Sequence, residues 1–353
     1  MSSTLGIDIG YETVKVIGLD KQGKHWRLRG MNIASIPANS WQVDSLINQD
    51  QIALTLQDAL KLAKPDPISS KRAMIALPES VIFSGTFSMP LLSNSELAEA
   101  IPFELADKLS INLEDCYFDY EIATTKCHPL DSPAIAQPAP VKTEKTAKKP
   151  AKPEKTPEKE SPADEANALQ ITVFAVAAKK SLIESVMELC QKAKLELAGI
   201  DIKPGAIARA VISQNDTKAR AIIDLGAGST GASIVEGQSI RVTSTVPWGV
   251  KALLGQTLSP EQLQKEFSPV FDELVHITKF FENRVCPGIR VEEIILSGSG
   301  TNITGVPEVF QRETGLPTRP GEPFGQVDSH RYPIKTEFSH TFSDAVGLAM
   351  RGQ

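Results

Sequence analysis

An α/β fold made of two halves that share one design is what this chain's residue pattern predicts, and three observations predict it. Strand-like and helix-like stretches alternate along most of the 353 residues, the pattern of an α/β protein. An Asp-x-Gly turn after an apolar strand occurs twice, at Gly6-Ile7-Asp8-Ile9-Gly10 and at Ile222-Ile223-Asp224-Leu225-Gly226-Ala227-Gly228, with the aspartates 224 − 8 = 216 positions apart. A third glycine cluster follows the apolar run Glu293 to Leu296, as Ser297-Gly298-Ser299-Gly300-Thr301-Asn302.

The elements follow in order. Ser3 to Leu19 reads as two apolar strands joined by a tight glycine turn. Ile52, Leu56, Ala59, Leu60 and Ala63 form one stripe of a helix over Asp50 to Lys64. Arg72 to Leu77 is a short strand ending at Pro78, and Val81 to Met89 is another. Ser93-Asn94-Ser95-Glu96 has the form of a capping box opening a helix over Glu96 to Leu109. Tyr117 to Thr124 alternates like a strand; Gln170 to Ala177 is a strand, Lys180 to Lys194 an amphipathic helix, and Leu195 to Ile202 a returning strand. Val306 to Thr314 is helical, and the small-residue helix Ser343 to Met350 is expected to pack on the second sheet.

One stretch breaks this alternation. Eight prolines lie between Pro129 and Pro162 and seven lysines between Lys142 and Lys159, with almost no large apolar residue among them. Such a segment cannot bury enough surface to offset the entropy of ordering, so a semi-extended tether over about 126–168 is expected. A solvated insertion is its plainer role; an electrostatic arm is the sharper one, weakened by Glu144, Glu154, Glu158 and Glu160.

Composition excludes several classes. A 41% hydrophobic content suits a globular chain of two domains. A formal charge of −6 lacks the basic footprint of a nucleic-acid binder. Cys116, Cys127, Cys190 and Cys286 include no Cys-x-x-Cys pair, so scattered reduced thiols are expected. The five histidines are too dispersed in sequence to suggest a metal site. The start lacks the basic leader and apolar core of a signal peptide, and no run approaches ~18 uncharged apolar residues. A soluble cytoplasmic protein is the expectation.

The chemistry that needs paired Asp-x-Gly turns is phosphate binding. Glycine lets backbone N–H groups approach phosphate oxygens closely. A carboxylate at the strand end can orient Mg²⁺, through water because that ion gives up its hydration reluctantly. The candidate nucleotide-binding residues are Asp8, Gly10, Thr13 and Lys15 in the first half, with Asp224, Gly226, Gly228, Ser229 and Thr230 in the second. Gly298, Ser299, Gly300 and Asn302 are candidates for the nucleoside, and Asp8 and Asp224 for water-held Mg²⁺. Either turn alone is a common structural motif; two in register with the halves of an α/β chain point to a shared ligand.

Together these motifs resemble the actin, sugar kinase and heat-shock chaperone superfamily, whose Asp-to-Lys spacing matches that of Asp8 and Lys15. More narrowly the chain is similar to the PilM family of type IV pilus assembly, relatives of the division protein FtsA. Phe87-Ser88-Met89-Pro90-Leu91-Leu92-Ser93, Ile101-Pro102-Phe103-Glu104, Phe118-Asp119-Tyr120, Asp201-Ile202-Lys203-Pro204 and Ala345-Val346-Gly347-Leu348-Ala349 carry this likeness.

The resemblance implies an actin-like ATPase fold of duplicated ribonuclease-H-like lobes with an inserted FtsA-type subdomain. The expected division is a first lobe over 1–79, the insertion over 80–195, the first lobe's return over 196–218 and a second lobe over 219–353, with a cap at about 241–291. It further implies ATP and Mg²⁺ as ligands and docking to the cytoplasmic tail of a PilN-like inner-membrane protein. The protein would sit peripherally at that membrane without inserting, with pilus motor ATPases and self-association as further contacts. Tyr11-Glu12 stands where relatives carry small hydroxyl residues, and a Glu near the γ-phosphate would repel it. Pro204 to Ala208 offers no side chain to position a water, so slow or absent hydrolysis is expected and no catalytic residue is assigned. An FtsA-like membrane tether, a small-molecule kinase and a scaffold without nucleotide are the alternatives.

Overall fold

The computed structural model describes residues 3–23, 25–42, 44–90, 92–123 and 170–352. The expected tether, with Cys127 and His128, lies outside them.

The chain opens with β1 (Ser3–Ile9), β2 (Thr13–Gln22) and β3 (His25–Ser35), followed by α1 (Gln49–Lys61), β4 (Lys64–Pro65) and β5 (Arg72–Leu77). Then come β6 (Phe83–Pro90), α2 (Asn94–Leu109), β7 (Cys116–Ala123), β8 (Gln170–Lys179) and α3 (Lys180–Lys192), and the chain returns through β9 (Glu196–Ile202) and α4 (Lys203–Val211). The second half holds β10 (Ala219–Leu225), β11 (Thr230–Glu236), β12 (Ser239–Val246), α5 (Pro260–Glu266), α6 (Ser268–Phe280), β13 (Glu293–Ser297), α7 (Val306–Thr314) and β14 (Thr318–Pro320). It closes with β15 (Val327–Asp328), α8 (Thr336–Ser339) and α9 (Ser343–Arg351).

Two sheets repeat one topology. The first runs β15-β3-β2-β1-β5-β9, with β4 pairing β3, and the second runs β12-β11-β10-β13-β14. In each, an antiparallel meander (β1 to β3, β10 to β12) continues into strands parallel to its first member: β5 and β9 in one half, β13 and β14 in the other. Central strands such as β1 and β10 are buried almost throughout, as parallel strands covered on both faces must be. A third sheet, β6-β8-β7, carries α2 and its own core around Phe87, Leu97, Ile101, Leu105 and Val173. The Ser93 hydroxyl and Glu96 carboxylate close the expected capping box at the start of α2.

Helix α9 does not pack where the sequence suggests. Ala345, Val346 and Ala349 join Ile17, Leu19 and Met31 of the first sheet, so the expectation of the second sheet is corrected. The physical reason is small-residue contact: a Cβ at Gly6 would meet the Ala349 nitrogen at 2.7 Å and overlap the Ala345 carbonyl, and one at Gly347 would overlap the Ala206 carbonyl of α4. Helix α4 in turn sets Ile207, Ala208 and Ile212 against Ile222, Ile240 and Ile295 of the second sheet. Together α4 and α9 form the layer between the two sheets. Gly347→Ala should therefore destabilise the protein by about 1–3 kcal/mol through overpacking. Helix propensity alone would favour the alanine by about 1 kcal/mol, so urea unfolding decides between the two effects.

Cys116 and Cys190 are free and buried. No helix among the described residues is long and apolar enough to cross a membrane.

Candidate functional site

Parallel strands of an open α/β sheet present their ligand crevice beyond their carboxyl ends, and the polar residues of this chain collect there. Asp8 stands at the end of β1, Glu79 two residues past β5, and Lys203 directly after β9. From the other lobe come Asp224 near the end of β10 and Gly298 directly after β13. Asp344, in the first turn of α9, reaches the same place from the layer between the sheets.

The geometry is that of one charge cluster. Asp8 is wholly buried, with Lys15 Nζ 2.7 Å from its Oδ2 and Lys203 Nζ 2.9 Å from its Oδ1. Lys203 also donates to Asp344 Oδ2 at 3.1 Å. Burial pushes the Asp8 carboxyl up, but the two ammonium groups more than offset this and hold it well below the ordinary carboxylate range. Burial pulls Lys203 down, while Asp8, Asp344 and Asp224 outweigh it and raise its affinity for the proton well above the usual. Glu79 is compensated less: burial, then repulsion from Asp224, pushes it up to about 8, with Thr243 and Lys203 only partly opposing. Asp344 is pushed up to about 7, again by burial first. Four carboxylates thus face two ammonium groups.

The candidate glycines sit where side chains would not fit. A Cβ at Gly226 would lie 2.7 Å from the Ser229 carbonyl oxygen. One at Gly298, whose φ is +81°, would lie 2.7 Å from Asp224 Oδ1, and one at Gly300 2.7 Å from the Leu225 Cβ. The third glycine cluster is therefore folded onto the second turn. The first turn is closed by the Gly10 N–H donating to the Thr13 carbonyl at 2.8 Å. Asn302 is exposed, beside the buried Thr301.

The two turns also touch. The Tyr11 ring lies where a Cβ on Gly228 would be, and Glu12 pairs with Lys251, just beyond β12. The charge expected to repel a phosphate is thus matched by a cation from the opposite lobe, although so exposed a pair adds little stability.

Three carboxyl oxygens at these strand ends are buried without a hydrogen-bond partner: Asp8 Oδ1, which meets the Lys203 ammonium as an ion pair only, Glu79 Oε1 and Asp344 Oδ1. Orphaned buried groups of this kind call for an explanation, and a polar ligand between the lobes supplies one. A magnesium ion bound directly to Asp8 would compete with the two ammonium groups that its carboxylate oxygens face, although Asp8 Oδ1 makes no hydrogen bond. Among the described residues no three His, Cys, Asp or Glu side chains are grouped to hold a metal directly.

Asp8, Lys15, Asp224 and the glycines at these turns are among the sequence candidates, whereas Thr230 pairs with Leu225 at the start of β11. Glu79, Lys203 and Asp344 are not among them, although each had a signal: a charged residue just past an apolar strand, or an acid opening an otherwise small and apolar helix.

Comparison with known proteins agrees with the resemblance read from the residues. Residues 6–137 match the family model of the type IV pilus assembly protein PilM. Among solved structures, the chain is similar to one of a PilM-PilN type IV pilus biogenesis complex, at 18% identity, with 99% of this chain and 98% of that chain covered and a TM-score of 0.71. It is also similar to the ethanolamine utilization protein EutJ from Carboxydothermus hydrogenoformans, at 12% identity, covering 99% and 90% of the two chains, with a TM-score of 0.50. The fold is the actin-like one.

Proposed function

We propose, from the premise that this chain is a PilM-like protein with the actin-like fold, that it is a nucleotide-binding scaffold of type IV pilus assembly. The observation that carries the nucleotide reading is the polar cleft at the strand ends of both sheets, where Asp8, Glu79 and Asp344 each keep an unpartnered buried oxygen. ATP would lie with its phosphates against the Asp8–Gly10 and Asp224–Thr230 turns and its nucleoside toward Gly298–Gly300. Lys203 at the turn after β9 argues against fast hydrolysis, since an ammonium donates protons to hydrogen bonds but has no lone pair to accept one from an attacking water. Nucleotide would then act by holding the lobes together, stabilising the closed form by mass action.

The likeness to the PilM-PilN complex supports a PilN-like tail as partner, and through it a peripheral place at the inner membrane. A shallow groove lined by Arg72, Met74, Ala198, Ile200 and Arg351 follows the edge strand β9. Asp119 and Glu121 of the inserted unit lie close enough to act on the Arg351 charge. An extended peptide there would find backbone groups on one side and both charge signs on the other. Calorimetric titration with ATP, and separately with a synthetic peptide of the PilN-like N-terminal tail, tests both halves. Binding of each is expected; a protein that binds neither is not this scaffold.

A further inference from the structure

Lys203 has the position of an ion rather than of an ordinary surface lysine. Its side chain is 16% exposed, and its ammonium lies 2.9 Å from Asp8 Oδ1 and 3.1 Å from Asp344 Oδ2. Asp224, from the other lobe, acts on the same charge. One cation is thus shared by carboxylates from β1, α9 and β10. Its stem is anchored where β9 meets α4, between the half-buried Ile202 and the buried Pro204, so the ammonium is delivered by rigid elements.

We propose that Lys203 is the resident cation of this cleft, linking its carboxylates to a bound polyphosphate, so that a nucleoside di- or triphosphate binds without a divalent metal. This depends on the nucleotide reading of the cleft and goes beyond it. An ammonium carries three N–H donors; one goes to Asp344 Oδ2 and the contact with Asp8 Oδ1 is an ion pair, so a donor remains for a ligand oxygen. A metal bound directly to Asp8 would have to displace Lys15 or Lys203 first, and the displaced ammonium would be left buried among fewer partners, which is unfavourable.

The test is calorimetric titration of the full chain with ADP and with ATP, each in excess EDTA and in excess MgCl₂. Wild type is expected to bind in EDTA within about threefold of its affinity in magnesium. Lys203→Met is expected to lose at least about tenfold in EDTA and to recover most of that loss in magnesium, because the metal then takes the vacated place. Lys203→Arg keeps the charge and is expected to stay within about threefold of wild type in EDTA. If Lys203→Met does not fold, Lys203→Met with Asp344→Asn removes one charge of each sign, and the same magnesium rescue is expected. Wild-type binding that is at least about tenfold weaker in EDTA overturns the proposal, as does a Lys203→Met loss of equal size with and without magnesium. Absence of binding under every condition defeats the nucleotide reading itself, and the resident cation with it.

Discussion

Asp8→Ala is expected to lower the stability of the free protein by about 3–5 kcal/mol, the range for removing one partner of a buried ionic group. The Asp8 carboxylate is wholly buried and neutralises two ammonium groups at 2.7 and 2.9 Å. Alanine leaves Lys15 without its charge partner and Lys203 with Asp344 as its near one. Asp8→Asn keeps the shape and one acceptor, so its loss should be smaller. The sign with pH follows from the carboxyl being held below its ordinary value. Asp8 contributes stability above the ordinary carboxylate pKa, and that contribution disappears as the pH falls through the depressed value. Urea unfolding of wild type and both variants at neutral pH measures the effect. A loss below about 1 kcal/mol for alanine, the size of an average surface change, would show that the two lysines are satisfied without Asp8.

Glu79→Gln is expected to act in the opposite direction at high pH. Glu79 is pushed from 4.5 to about 8 by burial and then by Asp224, with Thr243 and Lys203 only partly opposing this. The folded protein therefore holds a proton that the unfolded chain has released, and stability falls as the pH rises from about 4.5 through 8. The swing is on the order of 4 kcal/mol, at 1.36 kcal/mol for each pKa unit. Glutamine is neutral at every pH, so the variant should match wild type at pH 4, be more stable by on the order of 2 kcal/mol at pH 6, and show the full difference at pH 9. Asp344, raised to about 7 with the same sign, is left in both proteins and gives each a residual slope. Parallel stability curves from pH 6 to 9 would mean that Glu79 stays ionised in the folded state.

Both effects come from residues at the strand ends, and they divide cleanly by how far a sequence can speak for them. Asp8 and Asp224 were legible because each ends an apolar strand and precedes a glycine, a pairing that local backbone geometry requires and that recurs in both halves. The same local rules placed the Ser93–Glu96 cap and the helix over Val306 to Thr314, where short-range hydrogen bonding and apolar periodicity suffice. Glu79 carried no such mark. Its importance arises from proximity to Asp224, 145 positions away (224 − 79), and from burial that only the closure of the lobes creates.

What the sequence by itself determined is the duplicated α/β plan, the two acidic turns and the PilM resemblance, because these rest on periodicity, turn chemistry and motif spacing along the chain. The tertiary structure alone decided that α9 crosses to the first sheet, that Glu12 meets Lys251, and that Lys203 bridges Asp8 and Asp344. Those outcomes depend on which small residues let backbones come close and on which charges share a space sheltered from water. Neither is written in the spacing of residues, since contact between remote segments is settled only when sheets and helices pack.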